Sequence, residues 1–117
     1  MIVRCIRLSN WSGAAVAASA WVTVGRDYRV LTLIWDFSCE KKAMVRLLSD
    51  EGVPALFNLA DFEITDSRLS AYWQLVGVTA GVWELTPLDW SEPGFWERFF
   101  DGDPGARQLF NEIAEVL

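Results

Sequence analysis

The sequence has 117 residues, 52% hydrophobic and 22% charged, which describes one folded domain with a core of its own and excludes a disordered chain. Ten basic against sixteen acidic side chains leave a net charge of −6, a sign that disfavours nucleic acid and anionic lipid as partners. Two cysteines and no histidine exclude a disulfide framework and a zinc site of the Cys/His kind.

Residues 2–8 are β-branched and apolar and predict a first strand. Ser9 to Gly13 is turn-like. Ala14 to Ala20 fits a helix by its alanines and a loop by its short length between strand signals. Its Ala18-Ser19-Ala20 ending resembles a signal-peptide cleavage site, but the run lacks a leucine-rich segment and no export signal is read. Trp21 to Val24 begins a second extended stretch, which Gly25 breaks. Over residues 28–36, Tyr28, Val30, Thr32 and Ile34 alternate with Arg29, Leu31, Leu33 and Trp35. Both sets are largely apolar, which predicts a central strand covered on both faces.

A polar connection over 37–42 leads to a strand over 43–49. Asp50-Glu51-Gly52 is a turn signal, and Pro54 to Asn58 a short return strand. Phe62 and Ile64 alternate with Asp61, Glu63 and Thr65 in a last short strand. Tyr72 to Val78 and Val82 to Thr86, joined by Thr79-Ala80-Gly81, form a second hairpin that Pro87 ends. In the tail, Ser91 is the expected N-cap of a helix with Pro93 in its first turn and Phe95, Trp96, Phe99 and Phe100 on one face. Asp101-Gly102 interrupts. Asp103-Pro104 caps a final helix with a stripe of Leu109, Phe110, Ile113, Val116 and Leu117. The expected fold is a single mainly β domain: a small β-barrel or sheet over 1–90, with two short helices over 91–117 packed on it.

The chemistry available is narrow. Without histidine, triads built on that base are excluded. Cys5, in an apolar run, and Cys39 read as free thiols of a reducing cytoplasm. No glycine-rich phosphate loop occurs. Asp101-Gly102-Asp103 lacks the remaining ligands of a calcium loop and reads better as a helix stop followed by a cap. No metal or cofactor is expected. Asp61, Glu63 and Asp66 could form a two-carboxylate hydrolytic site, but a solvated strand edge explains them better.

The seven tryptophans divide. Trp35 and Trp96 lie on apolar faces and read as core. Trp73, Trp83 and Trp90 fall in or beside the second hairpin, near Glu84 and Asp89. Aromatics in acidic company suit a protein-facing surface better than a nucleic-acid one. Charge points the same way. Residues 1–83 hold eight basic and eight acidic side chains, so the whole excess lies in 84–117. The candidate partner-binding residues are therefore Asp61, Glu63, Asp66, Trp73, Glu84, Asp89, Trp90 and Glu92.

Three segments carry a resemblance. They are Val3-Arg4-Cys5-Ile6; then Thr23 to Leu31 (Thr-Val-Gly-Arg-Asp-Tyr-Arg-Val-Leu) with Arg46 to Gly52 and Leu59 to Ile64; and Pro93 to Pro104 (Pro-Gly-Phe-Trp-Glu-Arg-Phe-Phe-Asp-Gly-Asp-Pro). The first two sets resemble small SH3-like bacterial domains. The third resembles the tail of immunity proteins encoded beside polymorphic toxins, including contact-dependent growth inhibition systems. The resemblance implies a non-enzymatic cytoplasmic protein that binds the C-terminal domain of its cognate toxin one to one and occludes the active site; the free protein is expected to be a monomer. It carries over no catalytic or binding residue, since each member matches its own toxin. The alternative is a stand-alone SH3-like interaction module, and a carboxylate hydrolase using Asp61 and Glu63 is a third reading.

Overall fold

The longest strand, β2 (Asp27–Asp36), organises the sheet. Along one edge its first half pairs with β1 (Ile2–Cys5) and its second half with β7 (Val82–Pro87). Its other edge carries β3 (Lys42–Leu48). β4 (Pro54–Asn58) extends the sheet beyond β3, β5 (Phe62–Asp66) beyond β1 and β6 (Trp73–Thr79) beyond β7, every pairing antiparallel. A 3-10 turn, Leu59–Asp61, joins β4 to β5. The path β4-β3-β2-β1-β5 with that turn makes the mainly β sheet expected from the sequence, to which the β6–β7 hairpin is added. The computed structural model describes residues 1–10, 12–38 and 42–117. Cys39, Lys41 and much of the 37–42 connection lie outside them.

One strand serves two sheet halves because it bends. The β2–β3 register shifts between Val30 and Thr32, where a bulge adds a residue and turns the strand. The bulge also separates two cores. Val3, Cys5, Val30, Leu33, Val45, Leu47 and Trp73 fill the inside of the barrel. Leu31, on the other side, packs with Trp90, Phe95, Phe99, Ala106 and Phe110 beneath the helices. β2 is thus central and covered on both faces, as its apolar alternation requires. Cys5 is a free, fully buried thiol, its pKa raised by that burial.

The helices are α1 (Phe95–Phe100) and α2 (Pro104–Ala114). Asp103 caps α2 as expected, its carboxylate accepting from the Ala106 amide at 2.9 Å with Pro104 at the first position. Ser91 does not cap α1. It closes a 3-10 turn, Leu88–Ser91, and its Oγ donates to the Leu88 carbonyl. Glu92 is extended, and α1 starts only after Gly94, whose φ of +79° is open to glycine at little cost. Val116, expected on the buried stripe, is 52% exposed because α2 has ended before it.

The first strand also ends earlier than the sequence predicts, at Cys5, and residues 6–26 form one long connection. Ala14 to Ala20 takes no helix, and Trp21 to Val24 pairs with no strand. An isolated bridge from Ser9 to Ala15 folds the loop on itself. Its far end is locked to the β3–β4 turn. Asp50 accepts from Thr23 Oγ1 and from the Tyr28 hydroxyl, each at 2.7 Å, and from Arg26 at 3.1 Å. The Tyr28 hydroxyl in turn accepts from the Thr23 amide, and the Asp50 amide donates to the Trp21 carbonyl. Hydrogen bonds from Thr23 and Tyr28 hold the Asp50 carboxyl below the usual carboxylate range. Its contribution to stability is therefore complete at neutral pH and lost as pH falls through the folded value. Asp50→Asn is expected to lower the midpoint of thermal unfolding at neutral pH, to flatten its acid-side pH dependence and to speed proteolysis within residues 6–26. Unchanged melting and proteolysis profiles would refute the lock.

Candidate protein-binding surfaces

Strand β7 inverts the usual alternation. Trp83 is 47% exposed, whereas Glu84 and Thr86 are buried. The face carrying Trp83 and Leu85 is continuous with the barrel interior through their β2 partners, Trp35 and Leu33. The hairpin extends that face past the barrel rim, so Trp83 and its neighbour Leu75 emerge into solvent. The opposite face lies under α1 and buries a polar layer made of Thr32, Arg46, Glu84 and Thr86. Arg46 Nη1 stands 3.7 Å from Glu84, and the guanidinium lies over the Trp96 ring at 4.0 Å. Desolvation pulls Arg46 down to about 10 and raises Glu84, the attraction between them opposing both shifts.

Burial therefore removes three of the expected partner-binding residues from the surface. Trp73 is inside the barrel, its Nε1 donating to the Leu31 carbonyl at 2.8 Å. Trp90 is 1% exposed at the centre of the helical core. Glu84 belongs to the polar layer. Each follows from the helices and barrel closing over faces that sequence alternation alone leaves open. Among the described residues the exposed tryptophans are Trp83 and, in the long loop, Trp21. Strand register marks Trp83 as the far end of the apolar face; Trp21 carries no periodic signal. Trp35 and Trp96 are half-buried against the two cores, as expected.

The carboxylates separate into two groups. Asp61, Glu63 and Asp66 do not form one site. Asp61 accepts from Arg7 at 3.1 Å and from Ser9, while Arg7 also donates to the Ala60 carbonyl. Glu63 lies exposed on β5 opposite Arg4. Asp66 is chelated by Arg68 at 2.6 Å, which holds its carboxyl well below the ordinary range. Asp61 also lines a cleft of about 480 Å³ between the 6–26 loop and the β3–β4 edge, whose apolar lining includes Leu8, Trp21, Met44, Phe57 and Phe62.

The second group is the helical layer. Asp89, Glu92, Glu97, Asp101, Asp103, Glu112 and Glu115 are all exposed there, against only Arg98 and Arg107. Arg98 is 3.6 Å from Glu92, and Arg107 lies over the Phe99 ring at 4.6 Å, so neither projects freely. Phe100 and Leu88 stand exposed among these acids. An acidic, wet surface with isolated apolar side chains is complementary to a basic protein face. Among the described residues no helix is long and apolar enough to cross a membrane, and no group of three or more Cys, Asp or Glu side chains is placed to hold a metal ion. No protein-family model, no curated protein and no solved structure matches the chain.

Proposed function

We propose that this chain is an immunity protein that binds the C-terminal domain of a cognate toxin in the cytoplasm and neutralises it by covering its active site. The observation that carries the reading is the exposed acidic helical layer. Nuclease toxins bind a polyanion and are basic around the substrate groove. A surface with fixed carboxylates occupies the same potential, speeds encounter by electrostatic steering and excludes substrate by bulk. The resemblance of the Pro93 to Pro104 segment supports the same reading, because that segment shapes the layer: Gly94 starts α1 and Asp103 starts α2. The test is a pull-down of the tagged protein with the toxin domain encoded beside it, followed by that domain's activity assay. One-to-one capture with loss of toxin activity is expected; a toxin that stays active in the presence of excess protein refutes immunity.

The second reading, an SH3-like interaction module, draws on the cleft between the 6–26 loop and β4. It is lined by both apolar and polar side chains and is of a size that holds several side chains of an extended peptide. The two separate by site and affinity. A cleft-docking peptide is lost on Trp21→Ala and binds weakly, whereas a toxin held by the helical layer tolerates Trp21→Ala with less than about a threefold change and binds at nanomolar strength or tighter.

A further inference from the structure

We infer that two copies of this chain associate through β6, edge to edge, into one continuous antiparallel sheet. Among the described residues β6 pairs with β7 alone, so its other edge carries unpaired backbone donors and acceptors. Soluble proteins guard such an edge with charge, proline or a covering element. Among the described residues β6 has no charge, proline or covering element; its one irregularity is the register shift between Gly77 and Thr79, at the end of the strand beyond the Leu75–Gly77 stretch. The strand reads Trp-Gln-Leu-Val-Gly-Val-Thr, and no charged side chain occurs between Arg68 and Glu84. Leu75 is 61% exposed and Val78 55%, with Trp83 beside them on β7.

The charge pattern permits a second copy as the occupant, and the pairing of the strand with itself argues for it. Each copy carries −6, so two copies repel wherever acidic faces meet. The hairpin is the neutral stretch at which they approach without that penalty. The strand is also self-complementary. Antiparallel pairing about Val76, the middle residue of β6, sets Leu75 of one copy opposite Gly77 of the other. The large side chain then meets the position with none, and the Trp83 ring that already covers Gly77, about 3.7 Å from where its Cβ would lie, packs beside that leucine. A two-fold pairing of this kind uses both edges and closes at the dimer rather than growing into a filament. The acidic helical layer is outside the pairing edge, so each copy remains able to bind its own toxin. This pairing is an alternative to the free monomer expected from the sequence.

The test is the mass in solution across a concentration series, by light scattering on the eluting protein. The expected result is twice the 13.2 kDa chain mass at high concentration and a monomer for Leu75→Lys, with the dissociation constant raised tenfold or more and the thermal midpoint retained. Val76→Cys gives an independent reading that does not depend on a charge: under oxidising conditions it is expected to yield a covalent dimer that the unsubstituted chain does not form. A single-chain mass at every concentration, a dimer unaffected by Leu75→Lys, or no additional crosslink with Val76→Cys would each overturn the pairing. Toxin binding is measured separately, so a monomer here leaves the immunity reading standing.

Discussion

Trp90→Ala is expected to destabilise the fold by about 3–5 kcal/mol, the range for truncating a fully buried aromatic. Trp90 is 1% exposed, and its ring stacks on Phe110 at 4.9 Å and on Phe95 at 6.4 Å. It stands at the end of the 3-10 turn after β7 and is the residue on which both helices converge. α1 has six residues, too few to persist alone, so its helical state depends on this contact. Loss of the ring leaves a cavity that the flanking aromatics fill only in part. Urea unfolding followed by circular dichroism measures the difference. Trp83→Ala is the control, with a change of no more than about 1 kcal/mol because the ring is half in solvent. Equal losses for the two variants would contradict the assignment of Trp90 to the core and Trp83 to the surface.

Arg46→Met is expected to destabilise the protein by about 3 kcal/mol at neutral pH. Methionine removes the guanidinium that lies over the Trp96 ring and leaves the Glu84 carboxylate buried without its cation. The deficit is pH-dependent in a defined sense. Burial already raises the folded pKa of Glu84, and Arg46 is what restrains it. Without Arg46 the folded value rises further. A carboxyl whose folded pKa lies above its unfolded one stabilises the protein when protonated, and that contribution is lost as pH rises through the folded value. The Arg46→Met deficit should therefore shrink on acidification and grow towards neutrality. The double variant Arg46→Met, Glu84→Leu is expected to recover the loss and to exceed the parent by about 1–4 kcal/mol, because desolvation outweighs attraction for both members of the pair. A pH-independent deficit, or a double variant less stable than Arg46→Met, would refute this description of the polar layer.

The sequence conveyed the individual strands and turns well because their signals are local. The period-2 run at 28–36, the Asp-Glu-Gly turn and the Asp103-Pro104 cap each fix their own element, and each is present. What alternation does not report is which face will be covered. Arg46, Glu84 and Thr86 look like solvent-facing residues, and they are buried because helices lying far along the chain close over them. The same long-range packing takes Trp73 and Trp90 off the surface and leaves Trp83 on it. The Thr-Val-Gly-x-x-Tyr and Asp-x-Gly segments are a different case. They look like two separate turn signals, yet they meet in one network around Asp50. Of the expected binding residues, Asp89 and Glu92 are in the acidic layer, Asp61 is on the cleft wall, and Glu63 and Asp66 lie along β5.

The proposed role of the acidic layer is tested most directly by calorimetric titration of a toxin domain encoded beside this chain, the partner the proposal requires, into the protein at low and at high salt. The same titration is repeated with Glu112→Lys, Glu115→Lys, a change that suits the C-terminal end of α2 and so preserves the helix. A one-to-one complex of nanomolar or tighter affinity is expected, weakened tenfold or more by salt and again by the charge reversal. A complex that forms equally well under all of these conditions would contradict binding through the helical layer.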